Sequence, residues 1–263
     1  MSKTAIVTGA SSGIGRAVAA ELVKSGCQVY GFSRRAFSSE GVTCISCDIT
    51  DEAAVKSAVD QVIFESQRID ILVLCAGMGI SGAVEFTDEQ DSRRQMEINL
   101  FGTNRMTRAV LPYMRKQGGG NIVIISSVAA VAAIPFQTWY SVSKAALNTY
   151  SLALANEVRP YGIKVCAVMP GDIRTGFTDA RIKHHQGDEA YGGRIDRSVS
   201  RMEKDEREGM SPEKAGQKIA RVALKKNPKP YYSIGFSYSL ICVLLKILPA
   251  RFARLILYYL YAK

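Results

Sequence analysis

A chain of 263 residues with 47% hydrophobic and 22% charged side chains can bury a substantial core, and one α/β domain accounts for that length without a second. The formal charge of +10 is unevenly placed: residues 1–158 carry 14 basic and 14 acidic side chains, residues 159–263 carry 20 and 10, and no reader motif or interleaved aromatic patch accompanies the surplus, so nucleic acid is excluded as the expected partner. The six cysteines (Cys27, Cys44, Cys47, Cys75, Cys166, Cys242) fall in or near apolar segments, as reduced thiols do, which excludes a disulfide framework and leads us to expect a cytoplasmic protein.

The first predicted strand, residues 3–8, ends in Gly9-Ala10-Ser11-Ser12-Gly13-Ile14-Gly15 and is followed by a helix from Arg16 to Lys24. A strand, a glycine turn and a helix N-terminus together make an anion cradle, because glycines permit positive φ and close backbone approach while unpaired N–H groups and the helix dipole attract negative charge. Further strands are expected at 28–32, 43–47, 70–74, 121–126 and 164–169, alternating with helix-length segments. That alternation predicts an α/β fold: a single doubly wound domain with a mostly parallel sheet of about seven strands and helices on both faces. Its ligand is expected outside the carboxyl ends of the strands, where Gly9, Ser33, Asp48, Gly77, Ser127 and Pro170 converge.

Asp48 follows the third strand, and apart from any ligand role it or Thr50 could cap the helix that comes next. Long helices are expected near 88–115 and over 139–155, and Gly118-Gly119-Gly120 reads as a turn into the next strand. In the second of these helices Tyr140 and Lys144 lie one turn apart on one face, with Ser127 upstream. A free phenol titrates near about 10 and a fixed ammonium favours its ionised form, so the lysine is expected to draw the tyrosine's pKa down. No metal site is expected, since Cys44 and Cys47 sit on a presumed buried strand without a second pair, and His184 and His185 lack matching carboxylates.

Taken in order, Thr8-Gly9-x-x-x-Gly13-x-Gly15, Cys75-Ala76-Gly77, Asn99, Ser127, Tyr140-x-x-x-Lys144 and Pro170-Gly171 resemble the short-chain dehydrogenase/reductases over roughly residues 3–230. One departure is Cys75, where the family usually has asparagine. The resemblance implies a Rossmann-type domain over residues 1–230, with Tyr140 as proton donor, Ser127 polarising a carbonyl oxygen, Lys144 binding the nicotinamide ribose while tuning Tyr140, and Asn99 holding a relay water. It assigns the dinucleotide to Gly9, Ser11, Ser12, Gly13, Ile14, Gly15, Ser33, Arg34, Arg35, Asp48, Ile49, Cys75, Ala76, Gly77, Tyr140, Lys144, Pro170, Gly171, Ile173 and Thr175. Because Ser33-Arg34-Arg35 stands where an NAD enzyme carries an acid, and a guanidinium fork suits a 2′-phosphate, the expected cofactor is NADP(H).

The expected activity is NADPH-dependent reduction of a ketone, reversibly oxidation of a secondary alcohol, on an apolar, steroid- or lipid-like substrate. The alternative is a non-catalytic NADP(H) sensor or interaction module, which has no need of a Ser-Tyr-Lys set. The family resemblance also implies a homodimer or homotetramer through the helices near 88–115 and 140–159. The polar stretch 174–210 is expected to be a substrate lid. The apolar and basic extension 231–263 has too few uninterrupted apolar residues to span a bilayer, and three placements stay open for it: packed on the domain or a partner subunit, laid on an anionic membrane surface, or lining an entrance for a lipid-like ketone.

Overall fold

Thr4, Ala5, Ile6, Val7 and Thr8 are all buried, and their alternating side chains serve two apolar faces at once, which places this strand at the centre of the sheet. The computed structural model describes residues 2–263; the side chains of Phe236 and of Lys246, one of the tail's basic residues, lie outside the described ones. After β1 (Thr4–Thr8) come α1 (Gly13–Lys24), β2 (Gln28–Ser33), β3 (Val42–Ser46), α2 (Glu52–Ser66), β4 (Ile71–Leu74) and the short β5 (Ile80–Ser81). Next, α3 (Glu89–Met96) runs through a π-helical turn, Glu97–Phe101, into α4 (Gly102–Gln117), followed by β6 (Gly120–Ile125), α5 (Thr138–Glu157) and β7 (Ile163–Pro170). The chain ends with α6 (Phe177–Ala180), β8 (Ile182–Lys183), α7 (Arg194–Arg207), α8 (Pro212–Ala223), β9 (Tyr231–Ile234), α9 (Phe236–Ile247) and α10 (Ala250–Tyr261).

Seven strands pair in parallel in the order β3-β2-β1-β4-β6-β7-β9. Alternation along each strand sorts the core into two layers. Ile6, Leu72, Leu74, Ile122 and Ile124 pack against α2, α4 and α5, while Ala5, Val7, Ile71, Val73, Val123 and Ile125 pack against α1 and α8. Truncating one of these, as in Leu72→Ala, costs about 2–5 kcal/mol through lost transfer energy and the cavity left behind. The strand order reverses between β1 and β4, so the two loops leaving those strands part and open a crevice at their carboxyl ends.

The structure corrects several local expectations. The segment near 88–115 is two helices joined by the π-helical turn. The cap of α2 is Asp51, whose Oδ1 accepts from the Ala53 and Ala54 amides at 2.8 and 3.1 Å; Asp48 instead accepts from the Thr50 amide and hydroxyl at 2.9 and 2.8 Å, turning the loop after β3. Residues 174–210 carry α6, β8 and α7, with β8 paired to β5 and Glu206 holding both Arg181 and, at 2.7 Å, the Thr178 hydroxyl. The first four residues of the predicted extension, Tyr231–Ile234, are the sheet's edge strand, so the extension proper starts with α9. Among the described residues no helix is long and apolar enough to cross a membrane.

Candidate active site

The crevice holds a cavity of about 550 Å³ lined by every predicted site residue except Asn99. Its floor is the turn after β1. A Cβ on Gly15 would lie 2.3 Å from the Gly9 carbonyl oxygen, and Gly9, at φ +67°, would put one 3.0 Å from the Ala76 backbone, so only glycines let this loop fold back on the strand and meet the β4 turn. Thr8 Oγ1 ties the two turns together by accepting from the Cys75 and Ala76 amides at 3.0 and 3.1 Å. This backbone geometry survives Cys75 in place of the family's usual asparagine, and burial pushes the Cys75 thiol up to about 12.

Ser12 precedes α1 without a side-chain cap, leaving first-turn N–H groups directed at the cavity, while Ser33 donates to Ser11 at 2.9 Å and links the loop to β2. Arg34 and Arg35 follow Ser33 at the rim, exposed and without an ion pair among the described residues. A glycine cradle, an uncapped helix N-terminus and two free guanidiniums fit the phosphates of a nicotinamide dinucleotide.

The predicted catalytic side chains converge from the end of β6 and from α5. Ser127 stands in extended conformation just past β6, where its hydroxyl accepts from the Ala129 amide at 3.1 Å. Its neighbour Ser126 points the other way and donates to the Lys144 carbonyl at 3.0 Å, as strand alternation requires. Tyr140 and Lys144 share one face of α5; the Lys144 ammonium lies 5.6 Å from the Tyr140 ring centroid and donates to the Ile125 carbonyl at 2.9 Å.

Here the electrostatics reverse the sequence expectation. Tyr140 is pushed up to about 12 by burial, with the nearby Ser127 hydroxyl pulling the other way, and Lys144 is lowered to about 8, again by burial. Desolvation dominates both shifts, because helical spacing brings the side chains together without supplying water to either.

Asn99 lies in the π-helical turn, fully buried behind the cavity. Its Oδ1 accepts from the Met78 amide at 2.8 Å, and its Nδ2 donates to the Met78 carbonyl and to Ser143 Oγ, both at 3.0 Å. These bonds lock the β4 loop onto α5, one residue from Lys144. Past Tyr140, Pro170, Gly171, Ile173 and Thr175 form the next wall.

The predicted catalytic and cofactor residues leave out the far half of the cavity. Phe177 packs on Tyr140 with ring centroids 5.7 Å apart, and Ile241, Leu257, Leu260 and Tyr261 reach in from α9 and α10. Asp172, Asp205 and Glu206 add carboxyl groups to this otherwise apolar end. Asp172 accepts a hydrogen bond from Tyr238; its pKa is raised by burial, with the Tyr238 bond opposing. The one available signal was position, since Asp172 directly follows the Pro170-Gly171 pair.

Fold and crevice define a dinucleotide-type α/β oxidoreductase in which Ser127, Tyr140 and Lys144 line one cavity. Comparison with known proteins agrees: the sequence profile of the short chain dehydrogenases matches residues 3–186. A 3-ketodihydrosphingosine reductase from Bacteroides thetaiotaomicron is 46% identical over 233 residues, covering 88% of this chain and 87% of the relative. Among solved structures, a short-chain dehydrogenase from Streptomyces avermitilis superposes with a TM-score of 0.84 at 32% identity, covering 98% of this chain and 96% of the other. ElxO with NADP bound gives 0.75 at 26% identity, covering 91% and 100%. The chain belongs to the short-chain dehydrogenase/reductase family.

Proposed function

We propose that this chain is an NADPH-dependent reductase of a long-chain, lipid-like ketone, with the sheet domain through Ile234 as its catalytic domain and residues 174–210 as its substrate lid. The reading is carried by one observation: Ser127, Tyr140 and Lys144 meet in a cavity whose other end is walled by aliphatic side chains of α9 and α10. When bound, the reduced nicotinamide supplies a hydride to the carbonyl carbon. Tyr140, held neutral by its high pKa, donates its proton to the carbonyl oxygen, and Ser127 hydrogen-bonds that oxygen to orient it. The Lys144 ammonium stabilises the phenolate left behind. Asn99 keeps the β4 loop and α5 in register and, in the family's manner, holds the relay that returns a proton.

Preference for NADPH is supported by Arg34 and Arg35 at the end of β2 and by the absence of an acid there; ElxO, a structural relative, has NADP bound. The substrate class is supported by the Bacteroides relative's name. A 3-keto sphingoid base joins a long alkyl chain to a ketone flanked by an ammonium. The cavity offers an aliphatic wall for the chain, Ser127 and Tyr140 for the ketone, and Asp172 and Asp205 for the cation. Exposed Phe101, Val142 and Leu152 on the π-helical turn and α5 support a homodimer or homotetramer through that side, and the free cysteines support a reducing, cytoplasmic setting.

Loss of NADPH absorbance with a panel of ketones tests the reading: turnover of a long-chain amino ketone that is lost in Tyr140→Phe supports it. Equal turnover in Tyr140→Phe and the parent protein would remove Tyr140 as donor.

A further inference from the structure

We infer that α9 and α10 are a docking surface for an anionic phospholipid bilayer, through which the active-site cavity exchanges lipid; this rests on the reductase reading only for the identity of the lipid. On α10 a single stripe, Ala253, Leu257, Tyr261 and Ala262, turns to the domain. The remaining faces carry Phe252, Leu255, Ile256, Tyr259 and Leu260 to the outside, 41–57% exposed. The same inversion holds on α9, where Cys242 is buried but Leu240 and Ile247 are 62% and 76% exposed. Apolar surface on this scale, contiguous over two helices, marks an interaction site rather than ordinary scatter.

Charge identifies the occupant. Among the described side chains of α9, α10 and the residues that follow there is no acidic one, while Arg251, Arg254 and Lys263 stand exposed among the apolar side chains. A second copy of this chain would bring basic tail against basic tail, whereas an anionic lipid surface complements both the charge and the apolar faces. Each helix has 12 residues, roughly 18 Å at about 1.5 Å per residue, against the roughly 30 Å of a hydrocarbon core, so the pair lies on the surface. Ile241 and Leu260 are exposed outside and also line the cavity, so apolar surface runs without a break from the docking face into the site. A lipid ketone can then leave the bilayer without crossing water.

Flotation of the full-length protein with substrate-free vesicles tests this. Binding is expected with phosphatidylglycerol/phosphatidylcholine vesicles, and loss is expected with phosphatidylcholine alone or in 1 M salt, where the Debye length shrinks to about 3 Å. Arg251→Glu/Arg254→Glu should weaken partitioning on the order of tenfold, since each basic residue near an anionic surface contributes a several-fold factor. Ile247→Ser/Phe252→Ser should weaken it comparably, with both variants melting at the parent temperature. Flotation that ignores lipid charge overturns the inference. So does protein left in solution, or a tight dimer in sedimentation that the Ile247→Ser/Phe252→Ser variant dissolves. Because vesicle binding needs no turnover, its failure is separate from failure of the reductase reading.

Discussion

Lys144 and Tyr140 share one face of α5, yet burial moves both away from their charged forms, the phenol to about 12 and the ammonium to about 8. The free protein is therefore set as an acid, with the phenol fully protonated at neutral pH. In the reducing direction kcat is expected to stay level up to about pH 8 and fall above it, as Lys144 loses the charge that stabilises the departing phenolate. Alcohol oxidation needs the phenolate first and should rise with pH over the same range. Turnover measured in both directions from pH 6 to 10 checks this, with Tyr140→Phe expected to lose about 10²–10⁴-fold in either. Parallel profiles in the two directions would remove Tyr140 and Lys144 as the titrating pair.

The same burial has a stability consequence of opposite sense for the two residues. Lys144 holds its proton less tightly folded than unfolded, so between about pH 8 and its ordinary 10.5 the unfolded chain carries the extra proton and stability rises with pH. Below about 8 the penalty is present in full, roughly 3 kcal/mol at about 1.4 kcal/mol for each tenfold. Tyr140 holds its proton more tightly folded, and its contribution is lost only from pH 10 to about 12. Lys144→Met forfeits the bond to the Ile125 carbonyl, about 1–2 kcal/mol. It should still be more stable than the parent at pH 7 by on the order of 1 kcal/mol, and it should lack the parent's gain from pH 8 to 10. Thermal melting across that range would show it.

Among the described residues the Arg34 and Arg35 side chains have no ion pair, so replacing them should leave folding unchanged and act on the cofactor alone. Arg34→Glu/Arg35→Ser is expected to raise KM for NADPH by about 10–100-fold, the loss of one or two charge-assisted bonds to a phosphate, with little change for NADH. Equal losses with both nucleotides would make these residues rim charges without a selecting role.

Thr8 is a structural joint, since one hydroxyl accepts from two amides of the β4 turn. Thr8→Val keeps the shape but strands both N–H groups, at about 1–3 kcal/mol each if water stays out. Denaturant unfolding should show a loss in that range, with weakened dinucleotide binding. Cys75→Asn, by contrast, changes no backbone bond and is expected to be tolerated.

Legibility in the sequence followed burial. Strands such as Ala5-Ile6-Val7 and Ile122–Ile125 read plainly because a doubly covered parallel sheet demands unbroken aliphatic runs, and the glycine turn reads because only glycine fits its contacts. Tyr231–Ile234 did not read as a strand: at the sheet's edge it is only partly buried and mixes tyrosine with serine. The π-helical turn at Glu97–Phe101 left no pattern, being a change of hydrogen-bond register within helical sequence. The direction of the Tyr140 shift was hidden for a related reason. Spacing along a helix reports which side chains are neighbours, while desolvation depends on what α6 and β7 bring over them.

Asp172 has the same origin, an acid that only tertiary structure buries, and it carries the most specific expectation about substrate. Its carboxyl accepts from Tyr238 of α9, whose ring rests against Gly171, so the acid is held beside the path between α9 and Tyr140 rather than free to swing into solvent. An uncompensated carboxylate in an apolar pocket is costly, and an ammonium on the substrate would offset that cost while aligning the neighbouring ketone. Asp172→Asn retains an acceptor for Tyr238 and removes only the charge. Combined with Asp205→Asn it is expected to raise KM for a long-chain 2-amino-3-ketone by about 10–100-fold, while a des-amino ketone of equal length loses less than about threefold. Steady-state kinetics on that matched pair decides it: if the parent protein handles both ketones alike, the carboxylates are not reading a cation, and the substrate is an uncharged lipid.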